Sequence, residues 1–456
     1  MQSETLYVGD VVLESGVLEG AGVRVRDGRI ASIHRRDELP SGPEVADYGG
    51  CLLLPGGIDA HVHAYSSSTD QEGIGRLTRA AASGGVTTVI DMPYDRPDAI
   101  TDAERLARKI ALVEAEAVVD VALFGTIAKY GGWKQITALA EGGVCGFKLS
   151  TYETDPDRFP EIPDAELVRA FEELQKVGLV ALFHAENGAL IDPLIERLRP
   201  LGVDHPEAHC WSRPPESETT AVLKLLELAR THPVKLHIVH QTAPQAYDAV
   251  AWYRSQGVDV TAETCLQYLL LTERALVEKR GLAKCNPPLR DEATRVELWR
   301  RVMGGEVAFV TSDHAPWTKA FKDKPNIFDN ASGLPGVDAL LPVLYSAAVA
   351  ERGLSPSRFA ELVSGGPARR YGLMPRKGRI AVGADADITV LDPTQRWTVD
   401  AGRSLSVAKW SPYDGMPVQG RVVATVRRGA LVFDGDSVVA DAGSGSFVRP
   451  VGRDPS

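Results

Sequence analysis

Hydrophobic and polar positions follow two different patterns along this chain, and the change comes near residue 52. From Leu52 onward, apolar runs of strand length alternate with stretches of helical periodicity. The eight apolar runs are Leu52–His63, Val86–Met92, Val119–Ile127, Val144–Ser150, Leu179–Ala185, Lys235–Gln241, Val258–Thr264 and Val307–Asp313. The helical patterns cover Glu72–Ala82, Asp102–Glu116, Asp164–Val177, Glu216–Arg230, Pro244–Gln256, Asp291–Met303 and Val337–Glu351. Eight strand–helix units predict an α/β fold, a (β/α)8 (TIM) barrel over residues 53–374.

The two ends of the chain contain short β-like runs and no helical period. Asp27-Gly28, between two such runs, is a hairpin signal. Since chain termini often lie close together, we expect residues 1–52 and 375–456 to form one small β-sandwich domain beside the barrel. The Gly- and Ser-rich segment after Asp434 is expected to lie over the surface.

The composition of the chain limits the kinds of binding partner that we expect. The chain has 456 residues and a formal net charge of −11, so neither nucleic acid nor an anionic membrane is expected as a partner. No apolar run has the length to span a membrane and the N-terminus lacks the pattern of a secretory leader, so we expect a cytoplasmic location. The five cysteines are far apart and form no CxxC pair, which favours reduced, mostly buried thiols.

Side chains that bind metals or move protons stand at the ends of five predicted strands. They are His61 and His63, Lys148, His184, His240 and Asp313. The carboxyl ends of barrel strands meet at one face, where such enzymes place their active sites. Imidazole and carboxylate suit zinc and similar cations, and this set exceeds what one tetrahedral ion needs. We therefore expect two divalent metal ions, bridged by Lys148 if carbon dioxide has converted its amine to a carbamate.

The other histidines have simpler interpretations. His237 lies on the same predicted strand as His240 but on the opposite face, and His314 follows Asp313, so both are expected to be hydrogen-bonded core residues. Four more histidines fall in loops or at helix ends and are expected to be solvated: His34, His205, His209 and His232.

Five motifs in this order, GGIDAHVH, GFKLS, FHAEN, HIVHQTA and TSDHAP, resemble those of the cyclic amidohydrolases in the amidohydrolase superfamily. That group includes hydantoinase, dihydropyrimidinase, allantoinase and dihydroorotase. The resemblance extends over nearly the whole chain, since Gly383-Ala-Asp-Ala-Asp-Ile and Ser411-Pro-Tyr-Asp-Gly-Met-Pro resemble the C-terminal part of the family. It implies the same barrel and terminal β-sandwich.

The resemblance also implies a mechanism. His61, His63 and Asp313 would hold the more buried ion, His184 and His240 the other, and Lys148 would bridge them as N6-carboxylysine. The ions would be zinc, with cobalt or manganese as alternatives. A hydroxide between them would attack the ring amide carbon, and Asp313 would pass its proton to the leaving ring nitrogen.

Four further residues would contact the substrate by the same resemblance. Tyr152 follows the bridging lysine, at a spacing one residue shorter than is usual in hydantoinases. Asn286 lies in Cys285-Asn-Pro-Pro288, and Ser332 and Gly333 lie in Ser332-Gly-Leu-Pro-Gly336. Each of these segments is also typical of an ordinary loop that has no role in substrate binding.

The substrate class is the least specified feature. Dihydroorotases commonly have an arginine just after HxH, and the segment Ala64 to Asp70 has none. Ser212-Arg-Pro-Pro-Glu216 resembles allantoinases, whereas Leu266-Gln-Tyr-Leu269 resembles L-hydantoinases. We expect hydrolysis of a small cyclic ureide or imide, allantoin or a 5-substituted hydantoin, by a homo-oligomer (tetramer or dimer). The alternatives are a dihydropyrimidinase or dihydroorotase-like hydrolase and a non-catalytic assembly protein related to dihydropyrimidinase.

Overall fold

The computed structural model describes residues 4–65 and 71–451. Four strands come first: β1 (Glu4–Leu13), β2 (Gly16–Arg26), β3 (Arg29–His34) and β4 (Glu44–Pro55). Nine short strands follow: β5 (Gly57–Val62), β6 (Val86–Asp91), β7 (Asp120–Leu123), β8 (Gly146–Ser150), β9 (Val180–His184), β10 (Lys235–Ile238), β11 (Val260–Ala262), β12 (Thr264–Cys265) and β13 (Val310–Thr311). The last three are β14 (Ile388–Thr398), β15 (Pro417–Arg427) and β16 (Ala430–Phe433).

Helices follow the barrel strands along the chain, and the last three come after β13. They are α1 (Gly73–Ser83), α2 (Ala103–Glu116), α3 (Ile136–Gly142), α4 (Asp164–Val177), α5 (Gly188–Leu198), α6 (Ala208–Trp211), α7 (Pro215–Thr231), α8 (Pro244–Ser255), α9 (Leu266–Leu270), α10 (Arg274–Lys279), α11 (Glu292–Met303), α12 (Leu340–Tyr345), α13 (Pro356–Ala360) and α14 (Gly366–Arg370). The sequence pattern overlooks several short ones, α3, α6, α9 and α10, because so few turns give no clear period. It also overlooks the longer α5, which contains Pro193, a residue that argues against a helix interior.

Strands β5 to β13 run parallel and close on themselves. Hydrogen bonds join β5-β6-β7, β8-β9-β10-β11 and β12-β13. The bridge Gly125↔Phe147 links the first group to the second, and Val62↔His314 links the last strand back to the first. Each of the eight predicted apolar runs contributes to this ring, so its strand ends converge on one face.

The first predicted run, Leu52–His63, is divided between two sheets. Residues up to Pro55 belong to β4 of the terminal sheet, and β5 of the barrel begins at Gly57. A Cβ at Gly56 would lie 2.2 Å from Thr87 Oγ1, and one at Gly57 would lie 2.8 Å from Leu341 Cδ1. Only glycine allows the chain to pass this closely from one sheet to the other.

The terminal sheet has seven strands, in the order β16-β15-β14-β4-β1-β2-β3, drawn from both ends of the chain. Strand β4 pairs antiparallel with β14, with Pro55 opposite Ile388. The predicted turn between β2 and β3 has Asp27 at φ 51° and Gly28 at φ 73°, as a two-residue hairpin loop requires. The division of the chain at residues 52 and 374 remains a prediction.

The segment after Asp434 lies over the surface, as expected, only as far as residue 444, since residues 435–444 are exposed or half-buried. Its residues 445–448 run along β7: the Gly445 amide donates to the Ala117 carbonyl, and the Val448 amide donates to the Val121 carbonyl. Val448 is 1% exposed and packs among the inward-facing barrel residues. The tail pairs with backbone groups near the amino end of β7, and the Gly- and Ser-rich composition gave no sign of this.

A buried ion-pair network joins the terminal sheet to the barrel. The Lys377 ammonium lies 2.6 Å from Asp120 and 2.6 Å from Asp387, and Arg427 lies 3.0 Å from Asp120. Burial raises the pKa of Asp120, but the charges of Lys377 and its arginine neighbours outweigh it and bring the pKa to about 2. The Lys377 ammonium group therefore occupies the space between the Asp120 and Asp387 carboxylates.

Among the described residues, no helix is both long enough and apolar enough to cross a membrane.

Candidate active site

The predicted ligands line one cavity at the carboxyl ends of the barrel strands. The residues around it are His61, His63, Tyr94, Lys148, Thr154, Arg158, Phe159, His184, His240, Asn286, Asp313, Ala315, Trp317, Ser332 and Gly333. This set contains all six candidate metal ligands and three of the four candidate substrate contacts. The exception is Tyr152.

His61, His63 and Asp313 form one half of the cavity floor. The Nε2 atom of His61 lies 3.2 Å from Asp313 Oδ1, and that of His63 lies 3.5 Å from the same oxygen. One ligand atom from each of the three residues falls within 4.8 Å of the others. Burial, and after it the charge of Lys148, holds the pKa of His61 well below its ordinary value. The neutral imidazole keeps the lone pair that a metal ion needs.

His184 and His240 form the other half. His184 Nδ1 lies 3.0 Å from His240 Nε2, and both rings are buried. Burial, and then His184 and Lys148, lower the pKa of His240 well below its usual value. His240 Nδ1 is buried and has no hydrogen-bond partner in the described part of the chain. Two imidazole nitrogens this close together suit a divalent cation.

Lys148 lies between the two halves, on β8. Its side chain is buried, and none of the described residues forms a hydrogen bond or ion pair with its ammonium group. Burial lowers the pKa of Lys148 to about 8, against the opposing effect of Asp313 and Glu263. A neutral amine is the form that reacts with carbon dioxide, so the site fits the predicted carbamate.

Two of the candidate ligands have unusual backbone conformations. His240 has φ 40° and Asp313 has φ 47°, in the left-handed region that few residues other than glycine adopt. Both lie two residues after the last residue of a barrel strand. Strain of this kind persists where the surrounding structure fixes it, and it often occurs at functional sites.

Buried carboxylates orient the histidines from outside the cavity. Glu263 Oε1 lies 2.8 Å from His61 Nδ1, and its Oε2 lies 3.1 Å from His237 Nε2. Glu186 Oε2 lies 2.7 Å from His184 Nε2 and accepts a second hydrogen bond from Arg213 at 2.5 Å. Holding one ring nitrogen fixes the tautomer and turns the other toward the cavity. Glu263 is the penultimate residue of the seventh predicted run, so its position near a strand end was a usable signal that sequence reasoning missed.

Among the remaining histidines, the structure confirms the prediction for two and corrects it for one. His237 and His314 are buried and hydrogen-bonded, as predicted, and His314 Nδ1 accepts from the Gly336 amide at 3.0 Å. His209 was expected to be solvated, but it is 2% exposed, and its Nε2 donates to the Cys285 carbonyl at 2.9 Å. It packs beneath the segment that carries Asn286, which a helix-end position in the sequence does not reveal.

Two buried lysines form hydrogen bonds to the backbone of the segments that carry Asn286, Ser332 and Gly333. Lys322 Nζ donates to the carbonyls of Lys284, Ala331 and Gly333 at 2.8–2.9 Å. Lys284 Nζ donates to the Asn330 carbonyl at 2.6 Å. The two loops are thus tied to each other along one wall of the cavity.

Tyr152 lies apart from the cavity wall. Its hydroxyl donates to Asp192 Oδ1 at 3.2 Å, and the Arg213 guanidinium lies 4.7 Å from its ring centroid. The Ser150 hydroxyl donates to the Tyr152 carbonyl at 2.6 Å. The Tyr152 ring still lies near one candidate ligand, with its centroid 6.3 Å from that of the His184 ring. The tyrosine that does line the cavity is Tyr94, whose hydroxyl donates to the Lys148 carbonyl at 3.0 Å.

Sequence reasoning also missed Thr154, Arg158, Phe159 and Trp317, which lie on loops beyond the strand ends. Their positions follow from loop conformation, for which the sequence offered no periodic signal. Residues 66–70, in the segment whose lack of arginine argues against dihydroorotase, lie outside the described residues.

The sequence profile of the Amidohydrolase family matches residues 52–432. The chain belongs to the amidohydrolase family. It is similar to the allantoinase of Rubrobacter xylanophilus, with 39% identity over 99% of this chain and 98% of the relative. The allantoinase of Solibacter usitatus is 35% identical over 98% and 97%. Among solved structures, the L-hydantoinase (dihydropyrimidinase) of Arthrobacter aurescens superposes with a TM-score of 0.93 at 29% identity, covering 98% of this chain and 100% of that one.

These similarities confirm two predictions. The fold is a (β/α)8 barrel with a separate β domain built from both chain ends. The protein is a metal-dependent amidohydrolase that acts on the C–N bonds of cyclic amides.

Proposed function

We propose that this amidohydrolase opens the five-membered ring of a hydantoin, and that allantoin is its substrate. The observation that carries the proposal is the convergence of His61, His63, Lys148, His184, His240 and Asp313 on one cavity. The choice of ring is supported by the relatives named allantoinase, which match almost the full chain at 39% and 35% identity.

The donor set fits two divalent cations, zinc first and cobalt or manganese as alternatives. His61, His63 and Asp313 would hold one ion and His184 and His240 the other, with Lys148 between them as N6-carboxylysine formed with carbon dioxide. When bound, the ions supply a water of lowered pKa and polarise the substrate carbonyl.

Asp313 is the group placed to move the proton. Its side chain is about 10% exposed, and its Oδ1 faces both His61 and His63 from the cavity floor. In the hydrolysis, a bond forms from water oxygen to the ring carbonyl carbon and the ring C–N bond breaks. Asp313 accepts the proton lost by the water and delivers it to the leaving nitrogen.

Asn286, Ser332 and Gly333 would hold the ring. Asn286 Oδ1 is buried without a hydrogen-bond partner among the described residues, so it is available to a ring N–H. A buried acceptor left unpaired costs about 1–3 kcal/mol, which a matching donor on the substrate recovers. The loops that present these residues are fixed by Lys322 and Lys284, so little ordering is needed when substrate binds.

A 5-substituted hydantoin with an alkyl or aryl side chain is the second candidate substrate. It is supported by the TM-score of 0.93 with the L-hydantoinase (dihydropyrimidinase) of Arthrobacter aurescens. The cavity wall is partly aromatic, since Phe159 and Trp317 line it.

We also propose that the protein is cytoplasmic and that it forms a homo-oligomer, either a tetramer or a dimer. All five cysteines are unpaired and four are buried, which supports a reducing compartment. Light scattering on the purified protein would give the oligomeric state.

The decisive experiment is a ring-opening assay with zinc, cobalt or manganese supplied. Allantoin, 5-substituted hydantoins of both hands, dihydrouracil and dihydroorotate would be compared by kcat/KM, with metal content measured in parallel. We expect allantoin to be the best substrate and two metal ions per chain. A protein that holds metal but opens only six-membered rings would overturn the proposal.

A further inference from the structure

The backbone of His314 is hydrogen-bonded to both histidines of the GGIDAHVH motif. Its amide donates to the His61 carbonyl at 3.1 Å, and its carbonyl accepts from the His63 amide at 2.9 Å. Asp313 comes directly before it in the chain. A shift of His314 would therefore displace three of the six candidate metal ligands, although His314 itself does not line the cavity.

The ring of His314 holds the loop that carries Ser332 and Gly333. Its Nδ1 accepts from the Gly336 amide at 3.0 Å and from the Val337 amide at 3.3 Å. A ring nitrogen that accepts carries no proton, so the ring proton of His314 is on Nε2. In the other tautomer, the Nδ1 proton would face two backbone N–H groups, and the loop would lose its acceptor.

The Nε2 atom of His314 faces the buried carboxylate of Glu72, the residue before α1. It lies 3.6 Å from Glu72 Oε1, and both side chains are 0% exposed. Neither atom has a hydrogen-bond partner among the described residues. The other oxygen, Oε2, accepts from the Val407 amide at 2.7 Å and the Ser406 hydroxyl at 3.1 Å. At 3.6 Å the contact with His314 is electrostatic rather than a hydrogen bond, and the low dielectric of a buried position strengthens it.

We propose that Glu72 is a positioning residue, which keeps the His314 proton on Nε2 and thereby holds the candidate ligands and the Ser332–Gly336 loop in place. Glu72 does not line the cavity, so it acts only through His314. A carboxylate behind a metal-bound histidine is known to fix its tautomer and orientation. Here the histidine is not a candidate ligand but the neighbour of three. The inference rests on the proposed ligand set, and not on the choice of allantoin as substrate.

Amide hydrogen exchange in the metal-loaded protein tests the tautomer directly. Glu72→Met keeps the size of the side chain but removes both acceptors. We expect the Gly336 and Val337 amides to exchange about tenfold faster in this variant, the effect of losing one hydrogen bond of typical strength. If Glu72 only held the segment with Ser406 and Val407, exchange would rise at Val407 alone, and that result would overturn the proposal.

A double-mutant cycle with His314→Asn tests whether Glu72 acts through His314. The asparagine carbonyl offers an acceptor near the place of Nδ1 and has no tautomer to fix. We expect Glu72→Met to lower kcat/KM for allantoin about 10–100-fold in the wild-type background, with a parallel fall in zinc affinity. Added to His314→Asn, it should cost less than about twofold more. Equal losses in the two backgrounds would show that Glu72 acts independently of His314.

Two control variants should leave exchange at Gly336 unchanged, and faster exchange there in either would overturn the proposal. Glu116→Gln alters a carboxylate that accepts from the Gly75 amide near the start of α1, and Ser406→Ala removes one contact of Glu72. If Glu72→Met does not fold, Glu72→Ser replaces it with the same expected result, because a hydroxyl and the water beside it also donate and cannot fix a tautomer. A protein inactive on allantoin would overturn the proposed substrate, while hydrogen exchange would still decide the role of Glu72.

Discussion

The Glu263 carboxylate lies 2.8 Å from His61 Nδ1, on the side of the ring that faces away from the cavity. It also accepts from Thr311 at 3.1 Å and from the His240 amide at 3.3 Å, so it links three barrel strands behind the metal site. The orientation of His61 thus depends on a residue that never touches the cavity.

Replacing Glu263 by Gln should weaken metal binding without unfolding the protein. The amide keeps the shape of the side chain but not its strength as an acceptor, and loss of such a partner typically costs about 10–100-fold in metal affinity or activity. Competition with a chelator would measure the zinc affinity. Glu278→Gln, at an exposed position in α10, is the control. Unchanged affinity would show that His61 is oriented by its packing alone.

Lys148→Ala should abolish activity and reduce the bound metal, because the predicted bridge between the two ions is lost. Short carboxylates in the buffer should restore part of both, since they supply the two oxygens of the missing carbamate. Metal content and ring-opening rate would be followed together. Full activity with two metal ions in Lys148→Ala would contradict the bridging role.

Asp313→Asn should retain the fold but lose turnover. The amide cannot accept the proton that water releases, and general acid–base groups typically contribute about 100- to 10,000-fold to the rate. The measurement is kcat with metal content determined on the same samples. A near-normal kcat would remove Asp313 from proton transfer.

Lys322→Met should raise KM more than it lowers kcat. Three carbonyls that now accept from Lys322 would lose their donor, and the loops with Ser332, Gly333 and Cys285-Asn286 would loosen. Lys324→Met, two residues away and exposed, provides the comparison. An equal fall in kcat and kcat/KM would instead place Lys322 in the chemical step.

The network around Lys377 predicts a pH dependence of stability. The pKa of Asp120 in the folded chain is about 2, below its value of about 3.9 when unfolded, so its contribution is present above about pH 4 and is lost as the pH falls toward 2. Lys377→Met should destabilise the protein by about 3–5 kcal/mol at neutral pH, because its carboxylate partners stay buried. Thermal unfolding from pH 2 to 7 would test both statements, with Lys319→Met, at an exposed position, as control. An unchanged melting temperature in Lys377→Met would contradict the network.

The order of strands and the six candidate ligands were accessible from sequence because both depend on local pattern. Alternation places His61 and His63 on one face, and each candidate ligand lies within the last three residues of a predicted apolar run. Glu263 also lies near the end of an apolar run, but it was overlooked because a single glutamate does not resemble a ligand motif.

Other parts of the site were not accessible in this way. The position of Arg158 depends on a turn built by Asp155, and the Tyr152 hydroxyl is bound to Asp192; neither contact has a periodic signature in the sequence. The tail illustrates the same limit, since the pairing of Gly445 to Val448 with β7 joins segments over 300 residues apart in sequence.

Strand β14 pairs with β4 and also contacts the start of the first barrel strand, β5. These contacts have a consequence for the order in which the parts of the protein fold during synthesis. The Gly57 amide, at the start of the first barrel strand, donates to Thr389 Oγ1, 332 residues later in the chain. The amino end of that strand therefore cannot acquire its final neighbours until almost the whole polypeptide has left the ribosome. Contacts this distant in sequence form slowly and leave strand edges open in the meantime. The nascent barrel is accordingly the form of this protein most in need of a chaperone.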